Sequence, residues 1–157
     1  MSSPSASEYR HVASHFATGV AIVSAEGPVG PVGFTCQSFS SLSLEPMLLS
    51  FAATSGGRSW STVRDALRVG VSVLASTQSE VARRFSLSGV ERFAVTPWHP
   101  APEGSPLVDG AIAYFEGRLI GVTTHGDHDV AVVSVEWVSA PGGDPLIYFR
   151  RDFTRLA

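Results

Sequence analysis

With 157 residues, 44% of them hydrophobic and 16% charged, the chain has enough apolar material for one packed core and is not disordered. Its formal net charge is −3 and its 11 basic residues form no long block, which sets aside a non-specific nucleic-acid binder. The lone Cys36 excludes an intramolecular disulfide framework and a cysteine-based zinc site, and no apolar run reaches the roughly 18–20 residues of a membrane-spanning helix.

The start, Met1-Ser2-Ser3-Pro4-Ser5-Ala6, is polar and lacks the basic start and hydrophobic core of a signal peptide. Residues 1–7 are therefore expected to form a flexible tail, residues 8–157 a single domain, and the location to be cytoplasmic. Ser7 is the expected cap of a helix from Glu8 to about Phe16, with Tyr9, Val12, Ala13 and Phe16 on one face. Val20–Val23 reads as a short strand. Gly27, Gly30 and Gly33, interleaved with Pro28 and Pro31, mark a turn before a strand at Val32–Thr35. Strands follow at Phe39–Leu42 and Met47–Ala53. Ser59 is placed as the cap of a helix over Trp60–Ala66, and Val69–Leu74 returns to strand. Thr77 and Glu80 have capping-box spacing for a helix reaching about Phe85.

The stretch Thr96–Pro106 holds four prolines and is expected to be loop throughout. Two longer strands, Ala111–Val122 and His128–Val138, flank the turn Thr124-His125-Gly126-Asp127, and a closing strand sits at Leu146–Phe149. About seven strands with three short helical insertions argue against a doubly wound parallel sheet. A closed or nearly closed antiparallel barrel is the better expectation, because closure removes exposed edges.

Four groups of residues are candidates for chemistry. The stretch Thr35-Cys36-Gln37-Ser38-Phe39-Ser40-Ser41-Leu42-Ser43 carries more hydroxyl, thiol and amide groups than a buried strand needs. It suits a ligand rich in acceptors, or else it is a serine-rich strand facing solvent. In Thr54-Ser55-Gly56-Gly57-Arg58-Ser59-Trp60 two glycines allow close backbone approach, a helix terminus offers N–H groups and Arg58 can fork onto a phosphate. The plainer reading is a capped turn with a solvated arginine.

In Gly126-Asp127-His128 the histidine can meet a substrate or cofactor with Asp127 orienting its ring, or the segment is a simple β-turn. His125 and His128 without neighbouring Cys or Glu make a poor ligand set, so no metal is expected. Arg84 either pairs with Glu80 or reaches a ligand phosphate, with Phe85, Arg92 and Phe93 nearby. Tyr148–Phe153 mixes aromatic and basic groups, for a planar ring or a subunit contact. Neither a Gly-x-Gly-x-x-Gly fingerprint nor a Gly-x-Ser-x-Gly elbow is present.

Taken together, the chain resembles the short flavin reductases of two-component monooxygenase systems. The resemblance rests on Phe16-Ala17-Thr18-Gly19-Val20-Ala21-Ile22-Val23, on Gly33 to Pro46, on Ser59-Trp60 after Arg58, on Ala82-Arg83-Arg84-Phe85 and on Gly126-Asp127-His128. It implies a mainly β chain with short helices, folded as a split antiparallel β-barrel of Greek-key type and paired as a homodimer. It further implies FMN or FAD as flavin, NADH or NADPH as reductant, and a flavin-dependent monooxygenase as the partner that receives reduced flavin. Neither nucleic acid nor membrane is an expected partner.

By motif match, Thr35, Cys36, Gln37, Ser38, Ser40 and Ser41 would line the flavin ring and its ribityl tail. Ser55, Arg58 and Ser59 would lie toward the phosphate, with Arg84 and Phe85 beside them, and His128 would seat the nicotinamide. No catalytic side chain is required beyond the cofactors, His128 being the one candidate. Gln37 stands where the family commonly has asparagine, and Phe149 where the closing strand often has histidine. The alternatives are a deazaflavin enzyme on the same barrel and a flavin- or haem-binding barrel that is no reductase.

Overall fold

The computed structural model describes residues 1–88 and 91–157. The chain opens with α1 (Ala6–Ala13), whose first turn is closed by a capping box. Ser5 Oγ accepts from the Glu8 N–H at 3.2 Å, and Glu8 Oε2 accepts from the Ser5 N–H at 2.7 Å. The cap expected at Ser7 is thus corrected to Ser5, which stands three residues before Glu8, and the end of the expected tail is helical. The helix stops at Ala13, short of Phe16. Ser14 Oγ and His15 Nδ1 both bond to the His11 carbonyl, at 2.7 and 2.9 Å, and occupy an acceptor that a further turn would need.

Five strands follow: β1 (Thr18–Gly19), β2 (Ala21–Gly27), β3 (Gly30–Cys36), β4 (Ser40–Leu44) and β5 (Met47–Thr54). The turn between the last two contains a cis Glu45–Pro46 peptide. Helix α2 (Arg58–Ala66) leads to β6 (Arg68–Val73), and α3 (Ser79–Ser86) precedes a 3-10 turn at Phe93–Val95. Both helices start differently from expectation. Gly57, not Ser59, is the N-cap of α2, and it has no side chain to satisfy the first N–H groups. The Thr77–Glu80 box does not form: α3 starts after Gln78, and Glu80 instead pairs with Arg83 at 2.6 Å.

The proline-rich stretch is not all loop, for β7 (Trp98–Pro100) pairs with β8 (Pro106–Val108). Pro100 and Pro106 face each other at the end of this short ladder, where a missing N–H breaks little. Its loop is held by Glu116, 1% exposed, whose oxygens accept from the Glu103 N–H at 3.0 Å and the Ser105 N–H at 2.9 Å.

The chain ends with β9 (Ala113–His125), β10 (His128–Ser139), β11 (Leu146–Phe149) and β12 (Asp152–Arg155). Gly126, at φ 61°, opens the two-residue turn between β9 and β10, as a Gly-X hairpin requires. A Cβ at Gly117 would sit 2.1 Å from the Ser134 carbonyl oxygen, so only glycine fits where these long strands slip register and bend.

One seven-stranded sheet runs in the order β3-β2-β6-β9-β10-β5-β4 with every pair antiparallel. Strands β3 and β4 are its ends, and they do not pair with each other, so the barrel is split along that seam. Strand β2 is buried on both faces, which explains its unbroken apolar run. Ala21, Val23 and Ala25 face the barrel interior with Leu49, Phe51, Val71 and Val133, and α2 inserts Trp60 and Val63 there. Val20 and Ile22 face the other way, onto Leu74, Ala82, Phe85 and Leu146. Among the described residues no helix is long and apolar enough to cross a membrane.

Candidate functional site

A broad cleft of about 1790 Å³ opens along the split. One wall is the end of β3, Gly33 to Cys36, continuing through Gln37 and Ser38. The floor is Ala52–Thr54 of β5, and the turn Gly56–Ser59 with Trp60 closes one side. Phe85, Arg92, Phe93 and Trp98 extend the lining beyond that turn, and the half-exposed His128 lies on the rim beside Thr54. The volume exceeds the roughly 300–1,000 Å³ of a pocket for one small ligand, leaving room for two planar molecules.

The most ligand-ready feature is the start of α2. The N–H groups of Arg58, Ser59 and Trp60 lie in the first helical turn, where no preceding helical carbonyl reaches them. Gly57 offers no capping side chain, and the helix dipole adds positive character. The space where a Gly56 Cβ would project holds no atom within 4 Å, so a ligand can approach the backbone directly. The Arg58 side chain is exposed beside this terminus. Donors of this kind are suited to an anion such as phosphate.

The polar stretch behaves differently from expectation. Thr35 Oγ1 donates to the Ala82 carbonyl at 2.6 Å, and the Cys36 thiol contacts Ser38 Oγ at 3.2 Å. Ser38 Oγ accepts from the Ala52 N–H at 2.8 Å and donates to the Ala52 carbonyl at 3.1 Å. It thereby takes the place of the next rung of the β4–β5 ladder, whose last backbone pair on that side is Ser40 with Ser50. Three of the expected ligand groups are therefore engaged within the protein, and Gln37 is the amide left facing the cleft. Burial pushes the Cys36 thiol up from its ordinary value, so it is an apolar wall rather than a nucleophile.

Of the twelve residues expected at the site, Thr35, Cys36, Gln37, Ser38, Arg58, Ser59, Phe85 and His128 line this cleft. Ser40 and Ser41 lie exposed on the end strand β4, outside it. Ser55 sits behind the turn, donating to Asp129 at 3.0 Å. Arg84 turns away to donate to Thr96 Oγ1 at 2.8 Å, and the Glu80 pairing expected for it belongs to Arg83. Besides Arg58, the arginine that lines the cleft is Arg92 rather than Arg84. Its Nη1 donates to Ser59 Oγ at 2.9 Å and to the Gly33 carbonyl, while the rest of the guanidinium holds the Leu87 carbonyl. Partial burial lowers its pKa from the ordinary arginine value.

On the rim, His128 Nδ1 lies 2.6 Å from Asp127 Oδ1, and this bond draws the Asp127 carboxyl below its ordinary value. The His128 ring is half-exposed. The buried Asp129 beside it was not anticipated. A readable signal existed, since Asp129 occupies an inward position of β10 in register with Ala131 and Val133.

A split antiparallel barrel whose cleft is lined by an uncapped helix terminus, Arg58 and a neighbouring histidine has the features that suit a phosphorylated planar ligand. A family model described as flavin reductase like domain matches residues 13–157, and the chain belongs to that family. It is 38% identical over 151 residues to the reductase subunit HsaB of a flavin-dependent monooxygenase from Mycobacterium tuberculosis, covering 94% of this chain and 81% of the relative. It is 32% identical over 149 residues to the FMN reductase (NADH) SmoA of Agrobacterium fabrum, covering 95% of this chain and 85% of the relative. Among solved structures, the Streptomyces globisporus NADH:FAD oxidoreductase SgcE6, in complex with NAD and FAD fragments, superposes with a TM-score of 0.91 at 29% identity. That match covers 96% of this chain and 92% of the other.

Proposed function

We propose that this protein is an NAD(P)H-dependent flavin reductase that reduces FMN or FAD and passes the reduced flavin to a flavin-dependent monooxygenase. The observation that carries the reading is the uncapped α2 terminus with Arg58, set next to His128, the β10 partner of Thr54, in one broad cleft. The donor set fits a flavin phosphate, because three N–H groups and a guanidinium converge where a glycine leaves space.

With both ligands bound, the nicotinamide C4 supplies hydride to flavin N5, so the two heterocycles carry the redox chemistry. The protein's task is placement and electrostatics. Arg58 and the first turn of α2 hold the phosphate end, and Gln37 and the backbone from Thr35 to Ser38 border the ring. His128, steadied by Asp127, is assigned to the nicotinamide side. Phe34, Phe85 and Trp98 keep the walls apolar and limit water. No acid or base is needed at the moment of transfer. An open cleft suits a flavin that must leave after reduction.

The same reading pairs two copies of the chain. Tyr9, Val12 and Phe16 around α1 and Leu44 and Met47 on the β4–β5 hairpin are exposed large apolar side chains, which a second copy would cover. Nicotinamide oxidation, followed by its near-ultraviolet absorbance with and without FMN, FAD and riboflavin, is the test. Flavin-dependent oxidation is the expected result. A folded protein that oxidises neither NADH nor NADPH with any flavin would overturn the reading.

A further inference from the structure

Asp129 follows His128 on β10, is 3% exposed, and points its carboxylate into the end of the barrel. An isolated carboxylate in such a place would be strongly disfavoured. Here it has partners from three segments. Trp60 Nε1 of α2 donates to Oδ2 at 2.7 Å, while Ser55 Oγ of the β5–α2 turn and Thr124 Oγ1 of β9 donate to Oδ1 at 3.0 and 2.8 Å. Arg64 Nη1 stands 3.8 Å from Oδ2. A backbone bond runs parallel, the Ser55 N–H donating to the Asp127 carbonyl at 3.1 Å.

We propose that Asp129 is a positioning residue that fixes the phosphate-binding turn before α2 relative to His128, so that both ligands are held in one register. The proposal rests on the reading of the cleft given above. The turn and His128 are neighbours in space but belong to segments far apart in sequence, Ser55 and Asp129 being separated by 74 positions. Hydride transfer needs its reacting atoms about 3–3.5 Å apart, and a displacement of about 1 Å can cost about a hundredfold in rate. A shared buried carboxylate couples the two segments more stiffly than either could be held alone. Its bonds from Trp60 and then Thr124 keep the carboxyl below its ordinary value, so it acts as an acceptor only. An amide in its place would turn an N–H toward one of these donors.

Five variants and one pair of constants test this: the flavin Kd from fluorescence titration and the KM for the nicotinamide. Asp129→Asn should raise both by roughly three- to tenfold, the scale of one lost charge-assisted hydrogen bond. Ser55→Ala should raise only the flavin Kd, and Thr124→Val only the nicotinamide KM, each leaving the carboxylate its other donors. A purely structural role would lower the melting temperature and the active fraction and leave both constants unchanged. That result for Asp129→Asn overturns the proposal. Should Asp129→Asn fail to fold, wild-type constants in both Ser55→Ala and Thr124→Val overturn it equally. Arg58→Ala and His128→Ala serve as references. If they shift flavin and nicotinamide binding while the Asp129 set is silent, positioning alone has failed; if they too are silent, the reading of the cleft falls with it.

Discussion

Two polar stretches border the cleft, and they differ in what they have left to offer. The Thr35–Ser43 stretch is dense in hydroxyls, yet Thr35, Cys36 and Ser38 direct theirs to Ala82, to each other and to Ala52. The Gly56–Ser59 turn is sparse in side-chain polarity but presents backbone N–H groups without carbonyl partners. Binding capacity follows the unsatisfied donors, not the count of polar side chains. The first stretch shapes the seam of the barrel, and the second keeps backbone donors open to a charged ligand.

This contrast is open to direct attack. Arg58→Ala should have the largest effect, weakening flavin binding by about tenfold or more if the guanidinium meets phosphate. An unchanged Kd in a fluorescence titration would remove it from that role. His128→Ala comes next, with the nicotinamide KM raised by about three- to tenfold and the flavin Kd left intact. Steady-state kinetics with each ligand varied in turn separates the two. Ser38→Ala should lower stability by about 1 kcal/mol through the loss of its two bonds to Ala52, with little change in flavin affinity. A flavin Kd that moved more than the melting temperature would return Ser38 to the ligand surface.

The smallest effect is in acid. Because the folded Asp129 carboxyl lies below its ordinary value of 3.8, its stabilising contribution is full above that value and is lost as pH falls through the folded pKa. The melting-temperature advantage of wild type over Asp129→Asn should therefore shrink on acidification. A constant difference would show that the carboxylate charge is immaterial.

Much of the strand order was legible because its signals are local. The His128–Val138 alternation and the Gly126 turn mark the long hairpin, and the unbroken run at Val20–Val23 marks a strand buried on both faces. The last hairpin was hidden. Its turn, Arg150-Arg151, has φ of 52° and 69°, a conformation usually betrayed by glycine or asparagine, so β12 carried no punctuation. Helix starts were misjudged where several capping residues lay close together, as at Ser5 and Ser7. At the site, Arg58 and His128 could be read from motif and spacing. Arg92 and Arg84 could not be told apart, because only the packing of α3 decides which arginine faces the cleft and which meets Thr96.

The seam that admits ligand also leaves β3 as a bare sheet edge, and bare edges invite strands from other molecules. Pro31 removes one N–H from that edge, the Arg92 guanidinium covers the Gly33 carbonyl, and Ser38 completes the rung on the opposite side. The opening is thus shielded against strand-by-strand polymerisation without being shut.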